Sequence, residues 1–132
     1  FLACALAQKA CRDGHTALYK RAPRLFQELA LARADGSYGK LLQMLARVHL
    51  LIIDDWGISP LGDLERRDFL EILEDRYNCS STVMTSQVPI NKWHDTIGDP
   101  TLADAILDRV VHNAHKIHMK GDSVRKTKGK VD

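Results

Sequence analysis

Long apolar runs are missing from this 132-residue chain. None approaches the roughly 18 residues that a membrane-spanning helix needs, so no membrane partner is expected. Cysteine is scarce: Cys4, Cys11 and Cys79 are odd in number and lack paired spacing. That excludes a disulfide framework and points to reduced thiols and a cytoplasmic home. Cys4 and Cys11 recur at a helical interval and read as packing residues. Charge imbalance is slight as well. A net +2 does not demand a polyanionic partner, though it does not exclude one. No internal repeat or low-complexity segment is present. The opening "FLACALAQKACRDG" has no initiator Met, no helix cap and no basic targeting region, and reads as a fragment entered in mid-helix.

What is present suits one soluble α/β domain, with 45% hydrophobic and 27% charged residues. Residues 1–12 predict an alanine-rich helix closed by Gly14 in a left-handed cap. "HTALYKRA" alternates like a strand, and Pro23 opens a helix to about Arg33. "ADGS" separates it from a third helix, "YGKLLQMLARV", whose Met44 and leucines are expected in the core. The strand "HLLIID" follows. Asp63 is the expected N-cap of "LERRDFLEILEDRY", with Leu64, Phe69, Ile72, Leu73 and Tyr77 as its buried stripe. "STVMTSQ" predicts a strand that Pro89 ends. Asp99 and Pro100 mark the N-cap and first turn of "DPTLADAILDRVVHNA", and "HKIHMKG" predicts a last strand. The expected division is a core over residues 1–121 and a basic tail over 122–132 carrying Arg125, Lys126, Lys128 and Lys130.

Strands alternating with helices imply a parallel sheet covered on both faces, and the run "LLII" suits its doubly buried centre. Ligands of such sheets bind beyond the carboxyl ends of the strands. There the sequence places Asp54 and Asp55, then Ser86 and Gln87, then Lys120. Adjacent carboxylates repel, so the pair in "HLLIIDDWG" calls for a compensating partner, most simply a cation. Three arrangements use such a pair. The aspartates could cap the following turn. They could hold Mg²⁺ in a phosphorylation receiver, with Thr85 and Lys120 beside them, but a receiver needs a further aspartate on an intervening strand. Or they could form the Mg²⁺ and water site of a P-loop ATPase.

The segments "LLIIDDWGISPL", "TVMTSQVPINKWHD", "LADAILDRVVHNAHKIHMKGDSVRK" and "FLACALAQKACRDG" favour the third. In that order, over residues 1 to about 126, they resemble the AAA+ ATPases of the helicase-loader branch, and most closely the IstB-type ATP-binding helpers of insertion-sequence transposons. The resemblance implies ATP and Mg²⁺ as cofactors. It implies Asp54 as the metal-binding aspartate acting through water, and Asp55, shorter than the usual Glu, as the acid that activates water. Ser86 is implied beside the nucleotide and Gln87 as the first sensor. Arg109 is implied as an arginine finger acting in trans within a homo-oligomer, and Arg125 as the second sensor. Read from the residues alone, Arg109 could equally pair with Asp108 or Asp104, Arg125 could be a solvated tail residue, and Gln87 a loop amide.

The motif G-x-x-G-x-G-K-[ST], which the family places just before "FLACALAQ", does not occur in the 132 residues. Neither "DGSYGK" nor "KGDSVRK" has its spacing. The expectation is therefore an AAA+ parallel sheet lacking its first strand and phosphate loop, binding ATP poorly by itself. His112, His115 and His118 read as surface residues rather than metal ligands, and Trp56 and Trp93 as packing. Lys20, Arg21, Arg24 and Arg33 are the DNA-binding candidates, able to meet phosphates without base specificity, or else an ordinary solvated face. The implied function is an ATP-dependent helper that oligomerises on DNA and activates a transposase. A replicative helicase loader or a non-hydrolysing scaffold remnant are the alternatives.

Overall fold

The computed structural model describes residues 2–111 and residue 114. The expected last strand, the histidine series, Lys120, Arg125 and the basic tail lie outside those residues. The elements run α1 (Leu2–Arg12), β1 (Ala17–Arg21), α2 (Ala22–Asp35), α3 (Tyr38–Arg47), β2 (Leu50–Asp54), α4 (Asp63–Arg76), β3 (Ser81–Met84), a 3₁₀ turn (Ile90–Lys92), α5 (Trp93–Ile97) and α6 (Pro100–Val111). The three strands form one parallel sheet in the order β1-β2-β3. Tyr19 pairs with Ile52 and Arg21 with Asp54, while Ile53 pairs with Met84.

The apolar run "LLII" makes β2 the central strand because both of its faces are covered. Leu51 and Ile53 are fully buried in the cluster built from α2, α4 and α6, with Phe26, Leu29, Phe69, Ile72 and Ile106. Ile52 is equally buried but lies outside that cluster. Side chains alternate along a strand, so Ile52 points to the opposite face, where α1 packs on β1 and β2. Each such burial contributes roughly 1.5–3 kcal/mol relative to exposure. Asp54 has the parity of Ile52, and so do Tyr19 and Arg21 through the register.

Several boundaries fall as the sequence predicts. Gly14 takes φ +85° after α1. Pro23 sits in the first turn of α2, and the Asp99 carboxylate accepts the Leu102 N–H at 3.0 Å at the start of α6. Others need correction. Gly62, not Asp63, is the N-cap of α4: Glu65 reaches back to accept the Gly62 N–H at 2.9 Å, while Asp63 pairs with Arg66 at 3.0 Å. Leu64 and Tyr77 are exposed, so the buried stripe of α4 is Phe69, Ile72 and Leu73, extended by the polar Asp68 and Arg76. In α3 it is Leu45 that is buried and Met44 that is exposed. Cys4 and Cys11 are exposed rather than packed. β3 ends at Met84, because the chain then turns its side chains toward the residues that follow β2.

Among the described residues no helix is long and apolar enough to cross a membrane.

Candidate functional site

Asp54 closes β2, and each strand contributes to holding it. From β1 the Tyr19 hydroxyl donates to Oδ2. From the residue after β3 the Thr85 hydroxyl donates to Oδ1. The Asp55 N–H also reaches Oδ1, at 3.1 Å. Burial pushes the Asp54 pKa up, but the bonds from Thr85, Tyr19 and the Asp55 N–H outweigh it and hold the carboxyl below its ordinary value. The same contact, with burial second, raises the Tyr19 phenol to about 12.

Asp55 adopts φ +58°, an uncommon conformation for any residue but glycine, although aspartate tolerates it better than most. Its carboxylate reaches across to β1. Arg21, at the end of β1, then receives it: Nε lies 2.9 Å and Nη2 2.8 Å from Oδ2. The repulsion expected between the adjacent acids is therefore relieved by the protein itself, with hydroxyls on one carboxylate and a guanidinium on the other. The compensating partner expected from the sequence, most simply a cation, is thus supplied in part by the Tyr19 and Thr85 hydroxyls and Arg21.

The turn is tied to β3 as well. Thr85 N–H donates to Ile53 O at 3.0 Å, and Trp56 N–H to Thr85 O at 2.9 Å. Ser86 donates its hydroxyl to Trp56 O at 2.5 Å and accepts Val88 N–H at 3.0 Å. Gly57 has φ +86°, and a Cβ there would lie 3.3 Å from Val88 Cγ2 and 3.6 Å from Ser86 Oγ, so neither the backbone nor the space favours a side chain. Trp56 is wholly buried, with ring centroids 4.5 Å from Trp93 and 5.6 Å from Phe69, as the packing reading expects. Its Nε1 finds no hydrogen-bond partner.

The predicted site residues divide accordingly. Asp54, Asp55, Ser86 and Gln87 meet at one sheet edge. Ser86 commits its single proton to the Trp56 carbonyl. Gln87 is exposed. Arg109 does not join them. It sits near the end of α6, 2.8 Å from Asp108 and stacked 4.8 Å above the Tyr77 ring. Tyr77 follows α4, and that 14-residue helix runs about 21 Å from the acid-pair edge back to where β3 begins. The DNA-binding candidates do not form one free basic face. Lys20 pairs with Glu28 at 2.9 Å, and Arg21 with Asp55. Arg33 binds Asp68 and Tyr38 between helices. Arg24, with its side chain 76% exposed and Glu28 at 3.9 Å, is the most open. Tyr19, Lys20, Arg21, Pro23, Arg24 and Glu28 line a cleft of about 490 Å³ beside the acid pair.

Tyr19 was missed by sequence reasoning, and Thr85 was considered only for the receiver arrangement. The usable signal was register: Tyr19 shares the parity of Asp54, and Thr85 follows Met84 where Asp54 follows Ile53. Among the described residues no group of three or more His, Cys, Asp or Glu side chains could hold a metal. Mg²⁺, however, keeps several waters and takes one or two carboxylates plus phosphate oxygens. Asp54 is an ionised oxygen donor with three of its roughly four acceptor positions filled, which fits an ion held through water.

A parallel sheet flanked by helices, with acids closing its central strand, defines the class: this is the AAA+ P-loop ATPase fold. The replication initiator DnaA of Aquifex aeolicus, bound to AMPPCP, superposes with TM-score 0.70 at 20% identity, over 79% of this chain and 33% of that one. The DnaC helicase loader does so with TM-score 0.59 at 20% identity, over 76% of this chain and 61% of the other. The family is narrower. The description "IstB-like ATP binding protein" matches residues 1–131, and the chain belongs to that family. It is 60% identical over 126 residues to the insertion-sequence ATP-binding protein y4pL of Sinorhizobium fredii, covering 96% of this chain and 51% of the relative. It is 36% identical over 124 residues to the IS21 ATP-binding protein of Pseudomonas aeruginosa, covering 94% and 47%. The chain thus spans about half the length of the curated relatives it matches.

Proposed function

We propose that this chain carries the metal-and-water half of the ATP-hydrolysing site of a transposition helper, a cytoplasmic protein that oligomerises on DNA and activates a transposase. The observation that carries the reading is the acid pair: one carboxylate pinned between hydroxyls from two flanking segments, its neighbour tied to Arg21, all at the carboxyl edge of the sheet. Asp54 would hold Mg²⁺ through a water, and the ion would supply neutralisation of phosphoryl charge. Asp55 is the acid that orients water, once its carboxylate parts from Arg21. Gln87, exposed and with no hydrogen bond to its side chain among the described residues, has amide donors to offer a phosphate or a water. Arg125, outside the described residues, is proposed as the second sensor.

The position of Arg109 supports action in trans. It lies at the end of the sheet remote from Asp54 and so faces away from the acid pair of its own chain. DNA contact falls to Arg24 and to Lys20, Arg21 and Arg33 where their carboxylate partners yield to phosphates, with the basic tail beside them.

The test uses a version of the protein long enough to bind ATP. Arg109→Ala is expected to retain ATP binding and lose hydrolysis, as is Asp55→Asn. Mixing the two variants should restore part of the turnover, because a subunit with an intact acid pair then meets one with an intact arginine. Turnover by Arg109→Ala alone, or no recovery on mixing, would refute the assignment in trans.

A further inference from the structure

We propose that Thr85 is the positioning residue of the acid pair, fixing the conformation of Asp55 and the direction of Asp54 rather than touching nucleotide or water. The count of protons carries this. A hydroxyl has one proton to donate and two lone pairs. Thr85 gives its proton to Asp54 Oδ1 and accepts the Asp55 N–H at 3.1 Å, so no donor remains for a phosphate. Its backbone brackets the same turn, with its N–H on Ile53 O at 3.0 Å and its carbonyl on the Trp56 N–H at 2.9 Å. One residue therefore grips all four positions from Ile53 to Trp56.

The side chain has a separate task from the backbone. The backbone bonds continue the β2–β3 ladder and would survive any substitution except proline. Only the hydroxyl reaches the two acids, and it shares the N–H of Asp55, the residue at φ +58°, with Asp54 Oδ1, each at 3.1 Å. Ser86 is excluded from the task, since its proton goes to Trp56 O. By the same count, Gln87 is the residue of "TSQ" left with donors to offer.

The experiment separates these roles in the chain as it stands. Amide hydrogen exchange is measured by NMR for Asp55 and Trp56 in the parent, Thr85→Val and Thr85→Ser. Thr85→Val keeps the shape and removes the hydroxyl. It is expected to speed exchange at Asp55 about two- to fivefold, since that N–H loses one of its two acceptors and the other, Asp54 Oδ1, loses the hydroxyl that holds it, while Trp56, bonded through the backbone, keeps its rate. Thr85→Ser should restore Asp55 protection. Unchanged exchange at Asp55, an equal rise at Trp56, or no rescue by serine would overturn the proposal.

A second measurement rests on the ATPase reading above. In a version that turns over ATP, Thr85→Val should lower kcat at least tenfold with the KM for ATP nearly unchanged, and Thr85→Ser should recover most of it. A rise in KM with kcat unchanged would make Thr85 a nucleotide contact and overturn the positioning role. If the parent itself hydrolyses no ATP while the exchange pattern holds, the nucleotide reading fails and the positioning role stands.

Discussion

At the end of the sheet where β2 and β3 begin, Arg76 is 2% exposed and all five of its N–H donors are spent. They go to Leu45 O and Val48 O at 2.7 Å, Thr82 Oγ1 at 2.8 Å, Ser81 O at 2.5 Å and His49 O at 3.4 Å. None of these acceptors is a carboxylate. The charge is met by main-chain carbonyls, two of them at the carboxyl terminus of α3, where the helix dipole is negative. At the other end of the same strands, charge is met by hydroxyls and by the 58% exposed side chain of Arg21. The buried end is saturated and has nothing left to offer a ligand. The acid-pair end retains free acceptor positions and a salt bridge open to exchange, which is what a site needs and a foundation does not.

Substitutions should separate the two ends by size of effect. Arg76→Met strands buried carbonyls and is expected to destabilise the fold by about 3–5 kcal/mol in urea titrations. Arg76→Lys should recover little, because an ammonium has three donors and no planar fork. A loss below about 1 kcal/mol would erase the contrast between the ends.

An intermediate effect comes from pH. The Tyr19 phenol, bonded to Asp54, and the Tyr38 phenol, shifted by burial and by its bond to Asp68, both rise to about 12. Between the ordinary value near 10 and that raised value, the folded state binds more protons than the unfolded one. Stability is therefore full below pH 10 and falls as pH climbs through the raised values. Urea midpoints followed by tryptophan fluorescence should drop between pH 9.5 and pH 11.5. Tyr19→Phe and Tyr38→Phe should each flatten part of that drop, and a slope unaffected by both would place its origin elsewhere.

The smallest effect belongs to the exposed pair. Arg21→Ala should change stability by less than about 1 kcal/mol, yet free the Asp55 carboxylate, visible as side-chain motion in NMR relaxation. A large loss of stability would mean that Arg21 supports the fold as Arg76 does.

Much of this was legible in the sequence. The run "LLII" announces a strand buried on both faces, Asp99-Pro100 announces the start of α6, and "IIDDWG" marks the strand end where the two acids stand. Periodicity succeeded at Phe69, Ile72 and Leu73 because they repeat at helical spacing. It failed at Arg76 and Asp68, because a charged side chain gives no sign in sequence that distant carbonyls will surround the one and donors from α2 and α3 the other. Arg33 was only half legible for the same reason: as sequence it is one more basic residue after Arg21 and Arg24, and as structure it is held by Asp68, 35 positions away.

The sequence by itself determined which strand ends in acids, which elements surround it, and the family to which the chain belongs, since these follow from local order and pattern. Only the tertiary structure decided what the acids are bound to. The partners of Asp54 and Asp55 come from β1 and from the residue after β3, some 30 positions away on either side, and are fixed by strand register. Hydrogen bonds depend on that alignment to within fractions of an ångström, and residue order alone does not specify it.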